Sequence, residues 1–325
     1  MPTINVNDAY ILDETGAEVD KATGLFTKNE NATTGEKQMA RLNIAAGGSN
    51  PNLLDNAYFV GGGSQLGDGV FPINQRGQSS YTAAGNNGID RWGGSYCNIV
   101  LNASGLTITS TGYTNNLYQF VPYKVWDGLV GETVTLSFDV EAITGSWAIA
   151  AYNSAVGTIS TTGITSVSFV VPSVADGNKF IGLAGQSGNV ITLKAVKLEL
   201  GTVSTLANDP PPDFGEELRK CQRYLYIPTF PWYAWTGTVA MATSATDFNW
   251  VINTPVPMRQ GVIPTIGITN SVYINGTAVS NLAIGNYPVG NLVKISGTSA
   301  GMTNGQLYPV NTSANNVSVI LSAEL

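Results

Sequence analysis

The chain has 325 residues, 15 Lys and Arg against 22 Asp and Glu for a formal net charge of -7, two cysteines and no histidine. Without His there is no Ser-His-Asp or Cys-His nucleophile system, no HExxH zinc site and no imidazole metal ligand. Cys97 and Cys221 lie too far apart in sequence for a C-x-x-C site and make no disulfide framework; the acidic balance lacks a nucleic-acid footprint, and no apolar run reaches the ~18 residues of a membrane span.

At ~100–200 residues per domain the length predicts two or three domains. Charged residues are 11% of the chain, where about 25% is usual, while hydrophobic residues are 43%. Val, Ile, Thr, Tyr and Phe recur in short runs between Gly, Asn and Ser, which is an all-β pattern. Charge is unevenly placed. Residues 1–46 hold eleven charged side chains, whereas residues 224–325 hold only Asp247, Arg259, Lys294 and Glu324.

Met1-Pro2-Thr3-Ile4-Asn5 lacks the basic start and apolar core of a signal peptide, so folding in a cytoplasm with reduced thiols is expected. The first segment (residues 1–48) reads as extended chain with a turn at Glu14-Thr15-Gly16-Ala17, then one helix. Thr33-x-x-Glu36 forms a capping box, Met39 and Leu42 follow at helical spacing, and Gly47-Gly48 stops it. So few large apolar groups cannot build a separate core, and order is expected from partner chains or a docking surface.

Ser49-Asn50-Pro51 marks a boundary. Strand runs follow at Leu106–Thr109, Asn116–Val121, Thr133–Val140, Ala148–Tyr152, Val167–Val171, Phe180–Leu183 and Val190–Leu200. Seven or more strands over residues 50–206 predict a β-sandwich or jelly roll. Trp92, Trp126, Trp147 and Tyr152 fit either a contact surface or the interior of this unit, with burial the preferred reading. Gly61-Gly62-Gly63 and Gly67-Asp68-Gly69 are not followed by Gly-Lys-Ser/Thr, so they read as a loop rather than a phosphate cradle.

Asp139 and Glu141 share one face of a strand about 7 Å apart, a glycosidase-like separation, although a solvated strand face is the expected reading. Asp127 and Glu132 offer hard oxygen ligands but no EF-hand spacing. No catalytic residue, metal ligand or cofactor is therefore assigned. A Pro-rich linker and short helix occupy residues 207–226: Asp213 and Glu216 form a second capping box, and Phe214, Leu218, Cys221 and Leu225 make one stripe, with Cys221 as a small core residue. Residues 227–325 read as a smaller β-sandwich with turn or edge signals at Pro255–Arg259 and Asn275-Gly276.

Eight of the chain's 30 aromatic residues fall between Tyr224 and Trp250. Adjacent rings in Phe230-Pro231-Trp232-Tyr233-Ala234-Trp235 cannot all point inward from a strand. Trp232, Tyr233, Trp235 and Trp250 are therefore the candidate glycan or receptor contacts, with burial between subunits as the competing reading.

Several strings resemble a known family. Asn52-Leu53-Leu54-Asp55-Asn56-Ala57-Tyr58-Phe59, then Ile73–Tyr81 and Ile89-Asp90-Arg91-Trp92, look like the opening of the carbohydrate-binding-like β-sandwich of bacteriophage fibre proteins. Val196–Thr205 is similar to the last strand of that module, Glu217–Tyr224 to the linker helix after it, and Pro255–Arg259 to a distal β-domain. Glu36–Ile44 resembles the segment just after the virion-attachment region. The resemblance implies an intertwined homotrimeric virion fibre, on the tail or the head, assembled in the host cytoplasm. Its N-terminus would be held by another virion protein, with Tyr10, Leu12, Leu25 and Phe26 as attachment candidates. Met39, Leu42, Leu218 and Leu225 would be trimer contacts, and the distal domain would meet bacterial surface polysaccharide, with neither nucleic acid nor membrane insertion involved. The rival expectations are a head fibre with a decorative or weakly adhesive role and a fibre-borne polysaccharide-degrading enzyme.

Overall fold

A computed structural model describes residues 3–5, 10–12, 18–21, 49–61, 71–83, 88–230, 235–259, 263–268, 272–284, 290–312 and 317–323. The fold is all-β, and every described strand pairing is antiparallel. Strands β1 (Thr3–Asn5), β2 (Tyr10–Leu12) and β3 (Glu18–Lys21) form a three-stranded sheet. The expected turn at Glu14–Ala17 and the helix carrying Met39 and Leu42 lie outside the described residues, as do Leu25 and Phe26.

The next unit contains β4 (Ser80–Ala83), β5 (Cys97–Asn102), β6 (Gly105–Ser110), β7 (Leu117–Phe120), helix α1 (Tyr123–Leu129), β8 (Thr133–Thr144), β9 (Trp147–Ala151), β10 (Ser154–Ile159), β11 (Gly163–Val170), β12 (Phe180–Gly185) and β13 (Val190–Leu200). They form a six-stranded sheet in the order β11-β8-β13-β6-β5-β4 and a four-stranded sheet in the order β10-β9-β12-β7. One apolar cluster draws on both sheets: Leu136, Phe138 and Ile191 from the larger, Leu117, Ile149 and Leu183 from the smaller. Trp92, Trp126 and Trp147 are all within this core, as their sequence context predicts, and Tyr152 packs against it half-buried. Helix α1 was not anticipated. Its N-cap, Pro122, makes no side-chain capping bond, and what holds it is the burial of Trp126 and Leu129.

Strand β13 is central and covered on both faces. It pairs with β8 along its length and with β6 over Val190–Leu193. Beyond that point residues 53–59 take over: Leu53 N donates to Leu198 O at 2.8 Å, and Phe59 N to Lys194 O at 2.8 Å. Val196 and Leu198 enter the core, so Lys197 and Glu199 face the other way, yet both are 0% exposed. The Lys197 ammonium donates to Ser49 Oγ at 3.0 Å, Thr205 Oγ1 at 2.8 Å and the Asp209 carboxylate, and lies 3.7 Å from Glu199 Oε2. Glu199 in turn accepts from Thr205 N and Oγ1 at 2.8 and 2.6 Å. The segments entering and leaving this unit are thus clasped over one buried charge cluster.

Helix α2 (Phe214–Gln222) begins as expected, with the Asp213 side chain accepting from Glu216 N at 2.8 Å. It is shorter than its apolar stripe suggests. Phe214, Leu218 and Cys221 pack with Phe71 and Ile73, but Leu225 belongs to a strand and is fully buried within its own chain. Leu225 therefore offers no trimer contact, because pairing with the C-terminal strand recruits it to the interior; Leu218 is half-buried. Burial holds the Cys221 thiol well above its usual pKa, in keeping with a core role.

The last unit comprises β14 (Leu225–Tyr226), β15 (Thr229–Phe230), β16 (Trp235–Ala242), β17 (Asp247–Asn253), β18 (Thr265–Ile268), β19 (Val272–Ile274), β20 (Thr277–Ala278), β21 (Ser280–Ala283), β22 (Leu292–Thr298), β23 (Leu307–Thr312) and β24 (Val317–Ser322). A seven-stranded sheet runs β20-β19-β23-β16-β17-β22-β21, and β24 pairs with β14, β15 and β18. Asn275 and Gly276 both take positive φ, 51° and 73°, and close the β19–β20 hairpin as their dipeptide predicts.

Replacing Lys197 by Met leaves Glu199 buried without its cation, and a loss of about 3–5 kcal/mol is expected in urea unfolding. Stability is also expected to fall in alkali. Burial raises the Cys97 thiol from 9.0 to about 12 and the Tyr81 phenol from 10.0 to about 12. The unfolded chain therefore ionises first, and the stabilisation is complete below about pH 9 and lost as pH rises through the folded-state values. Tyr81→Phe removes the phenol's share of that slope, which urea midpoints measured from pH 8 to 11 would read.

Candidate functional site: an uncovered sheet face

Among the described residues, the seven-stranded sheet turns one face inward and leaves the other open. Along β17, Phe248, Trp250 and Ile252 are buried while Asp247, Val251 and Asn253 are exposed and Asn249 is half-exposed. Two large rings fill the inner side, so the facing positions are small: Ala240 and Ala242 on β16 and Gly297 on β22. A Cβ at Gly297 would stand 2.7 Å from the Phe248 ring. With the inner side full, Val239 and Met241 on β16 point outward.

Strand register sets these outward groups in rows. One row runs Leu307, Met241, Asn249, Ser296 across β23, β16, β17 and β22. The next carries Pro309 beside Val239 and Val251 beside Lys294. Thr238, Val239, Met241, Asn249, Val251, Lys294 and Leu307 line an open hollow of about 540 Å³. The aliphatic members stay wet: Leu307 is 63% exposed, Val239 49%, Met241 46% and Val251 43%. Leu292, also on β22, extends the patch. Contiguous apolar groups left in water on a sheet face mark a surface made for contact.

The aromatic candidates are placed differently from expectation. Trp250 is 0% exposed and its indole N–H donates to Thr238 Oγ1 at 2.8 Å. It is an interior anchor with no ring face to offer a sugar, because period-two alternation turns it to the side opposite Val251. Trp235 is described as backbone in β16, and Trp232 and Tyr233 lie outside the described residues. Tyr10 and Leu12 are placed on β2, again as backbone. The contact surface that the sequence did reveal too little of is aliphatic. Its signal was the alternation Phe248-Asn249-Trp250-Val251-Ile252, in which Phe248, Trp250 and Ile252 take the inner face and Asn249 and Val251 the outer.

The carboxylates form no convergent pair. Asp139 and Glu141 both engage Lys194, at 3.4 and 3.1 Å, as a partly exposed triad on a strand face. Asp127 pairs with Lys179 at 2.7 Å, and among the described residues no group of three or more acidic or Cys side chains is arranged to hold a metal ion. No helix among the described residues is long and apolar enough to cross a membrane. No family model matches the sequence, and no curated protein matches it.

Trp250→Ala is expected to cost about 3–5 kcal/mol by opening a cavity beneath this sheet. Thr238→Val, which removes the hydroxyl that accepts from the indole N–H, is expected to cost about 1–3 kcal/mol. Calorimetry of the two variants checks the order.

Proposed function

We propose that this chain is a structural and adhesive fibre protein of a bacteriophage virion. In this reading residues 1–48 attach to another virion protein, and residues 50–206 form a carbohydrate-binding-like jelly roll. Residues 207–226 link it to a distal β-domain, residues 227–325, and three chains assemble around one axis. The observation that carries the reading is the uncovered aliphatic face of the C-terminal sheet, which fits a chain whose work is contact. The ordered resemblance of Asn52–Phe59, Val196–Thr205 and Glu217–Tyr224 to fibre proteins gives that contact its setting.

The scarcity of charge toward the C-terminus adds support, since it leaves a far end suited to neutral or polar surface polysaccharide. Weak sites repeated on several chains become useful through avidity. Adhesion is favoured over polysaccharide cleavage because Asp139 and Glu141 spend their charge on Lys194 rather than facing each other across a substrate. Both tail and head attachment are compatible with this reading, and labelling of virions with an antibody against residues 210–325 would distinguish them.

The test is binding of the full chain to bacterial cells and to their purified surface polysaccharide. Trp232→Ala and Trp235→Ala are each expected to raise the apparent dissociation constant about tenfold. Unchanged binding in both would remove these two rings as receptor contacts. Release of reducing ends from the polysaccharide would replace the adhesive reading with the enzymatic one.

A further inference from the structure

We infer that the outer face of the seven-stranded C-terminal sheet is an interface between copies of this chain, with the hollow around Val239, Met241, Val251 and Leu307 packed against the same face of another copy. The inference deepens the self-association part of the proposed function and is independent of its adhesive part.

The chemistry of the face selects a protein surface over a sugar. Among the described residues its lining is Val, Met and Leu with one Thr, one Asn and one Lys, and it includes no aromatic ring for a pyranose to stack on. Aliphatic groups in alternating rows interdigitate with other aliphatic groups, as the inner faces of packed sheets do. Side chains carried on a hydrogen-bonded sheet also lose little backbone freedom on docking.

Charge then selects a copy over a foreign partner. Of the four charged residues after position 223, Asp247 and Lys294 stand on this outer face, one of each sign. Lys294 lies across from Val251, and Asp247 lies four residues along β17 from Val251, about 13 Å at the rise of a strand. Asp247 is held by Ser244 Oγ at 2.6 Å, and Lys294 makes no ion pair among the described residues. A strongly acidic or basic partner would find one charge matched and the other opposed. A second copy finds both matched, because packing face to face sets the Asp247 end of one patch against the Lys294 end of the other.

The test is the mass of the full chain by sedimentation equilibrium. Met241→Lys combined with Val251→Lys changes only exposed positions, so the thermal midpoint should hold while the oligomer dissociates. Lys294→Asp is expected to weaken association about tenfold or more, since it opposes two acids across the contact. Asp247→Lys added to Lys294→Asp is expected to restore it, which a merely structural role for either residue would not produce. A folded Met241→Lys, Val251→Lys variant with the mass and dissociation constant of the unmodified chain would overturn this inference and leave assembly through another surface standing. A monomeric unmodified chain would overturn both. Retained mass together with lost binding to cells would make the face a receptor surface and sink the inference equally.

Discussion

The ammonium of Lys197 imposes the strictest condition in the molecule. It sits on β13, a strand flanked by β8 on one edge and by β6 and residues 53–59 on the other, with no exposure to solvent. A cation so placed is tolerated only if ionised and hydrogen-bonding groups are brought to it. Glu199 comes from the same strand, but Ser49, Thr205 and Asp209 must be delivered by the segments that precede and follow the unit. Satisfying one charge therefore fixes where the chain enters and where it leaves. Such a cluster adds little net stability over an apolar replacement, and its clearer effect is to single out one arrangement.

A second polar knot carries the arrangement onward. Asn56, at φ 52°, accepts from Ile73 N and Trp92 Nε1, donates its amide to Ile73 O and Asp90 O, and gives its backbone N–H to Glu217 Oε2 at 2.7 Å. Glu217 belongs to α2, so the helix after the Pro-rich stretch is tied to the opening loop of the preceding unit. Arg91, paired with Asp55 at 3.0 Å, lies 3.5 Å over the Tyr224 ring, and Gln75 reaches the carbonyl of Leu225. Residues 207–226 are thus a splice rather than a free tether.

Much of the fold was legible because alternation and caps are local signals. Val190–Leu200 and the Asp213 cap appear where the residues place them, and Asn275-Gly276 closes its hairpin. Alternation says which side chains share a face, however, and not whether that face is covered. Lys197 and Glu199 share a face that looks solvated in sequence and is sealed by chain 148 residues away from Lys197. The same limit governs the candidate site. The crowd of rings near Trp250 points to an aromatic surface, while the packing demand of Phe248 and Trp250 leaves the neighbouring aliphatic groups outside. Helix α1 was hidden for a further reason: it has no capping side chain, and the burial of Trp126 and Leu129 is a tertiary contact that no local signal announces.

The clasp between residues 49–50 and 205–209 has a mechanical meaning. When a chain is pulled by its two ends, tension follows the shortest connected path. Ser49 binds Asp209, Asn50 N donates to Thr205 Oγ1 at 3.0 Å, and the Asn50 amide reaches Leu200 O at 3.2 Å. Force entering at residue 49 can therefore pass to residue 209 through side chains, leaving the strands between them out of the line of pull. The sandwich would hang beside the strained path, keeping its shape until that short bridge gives way.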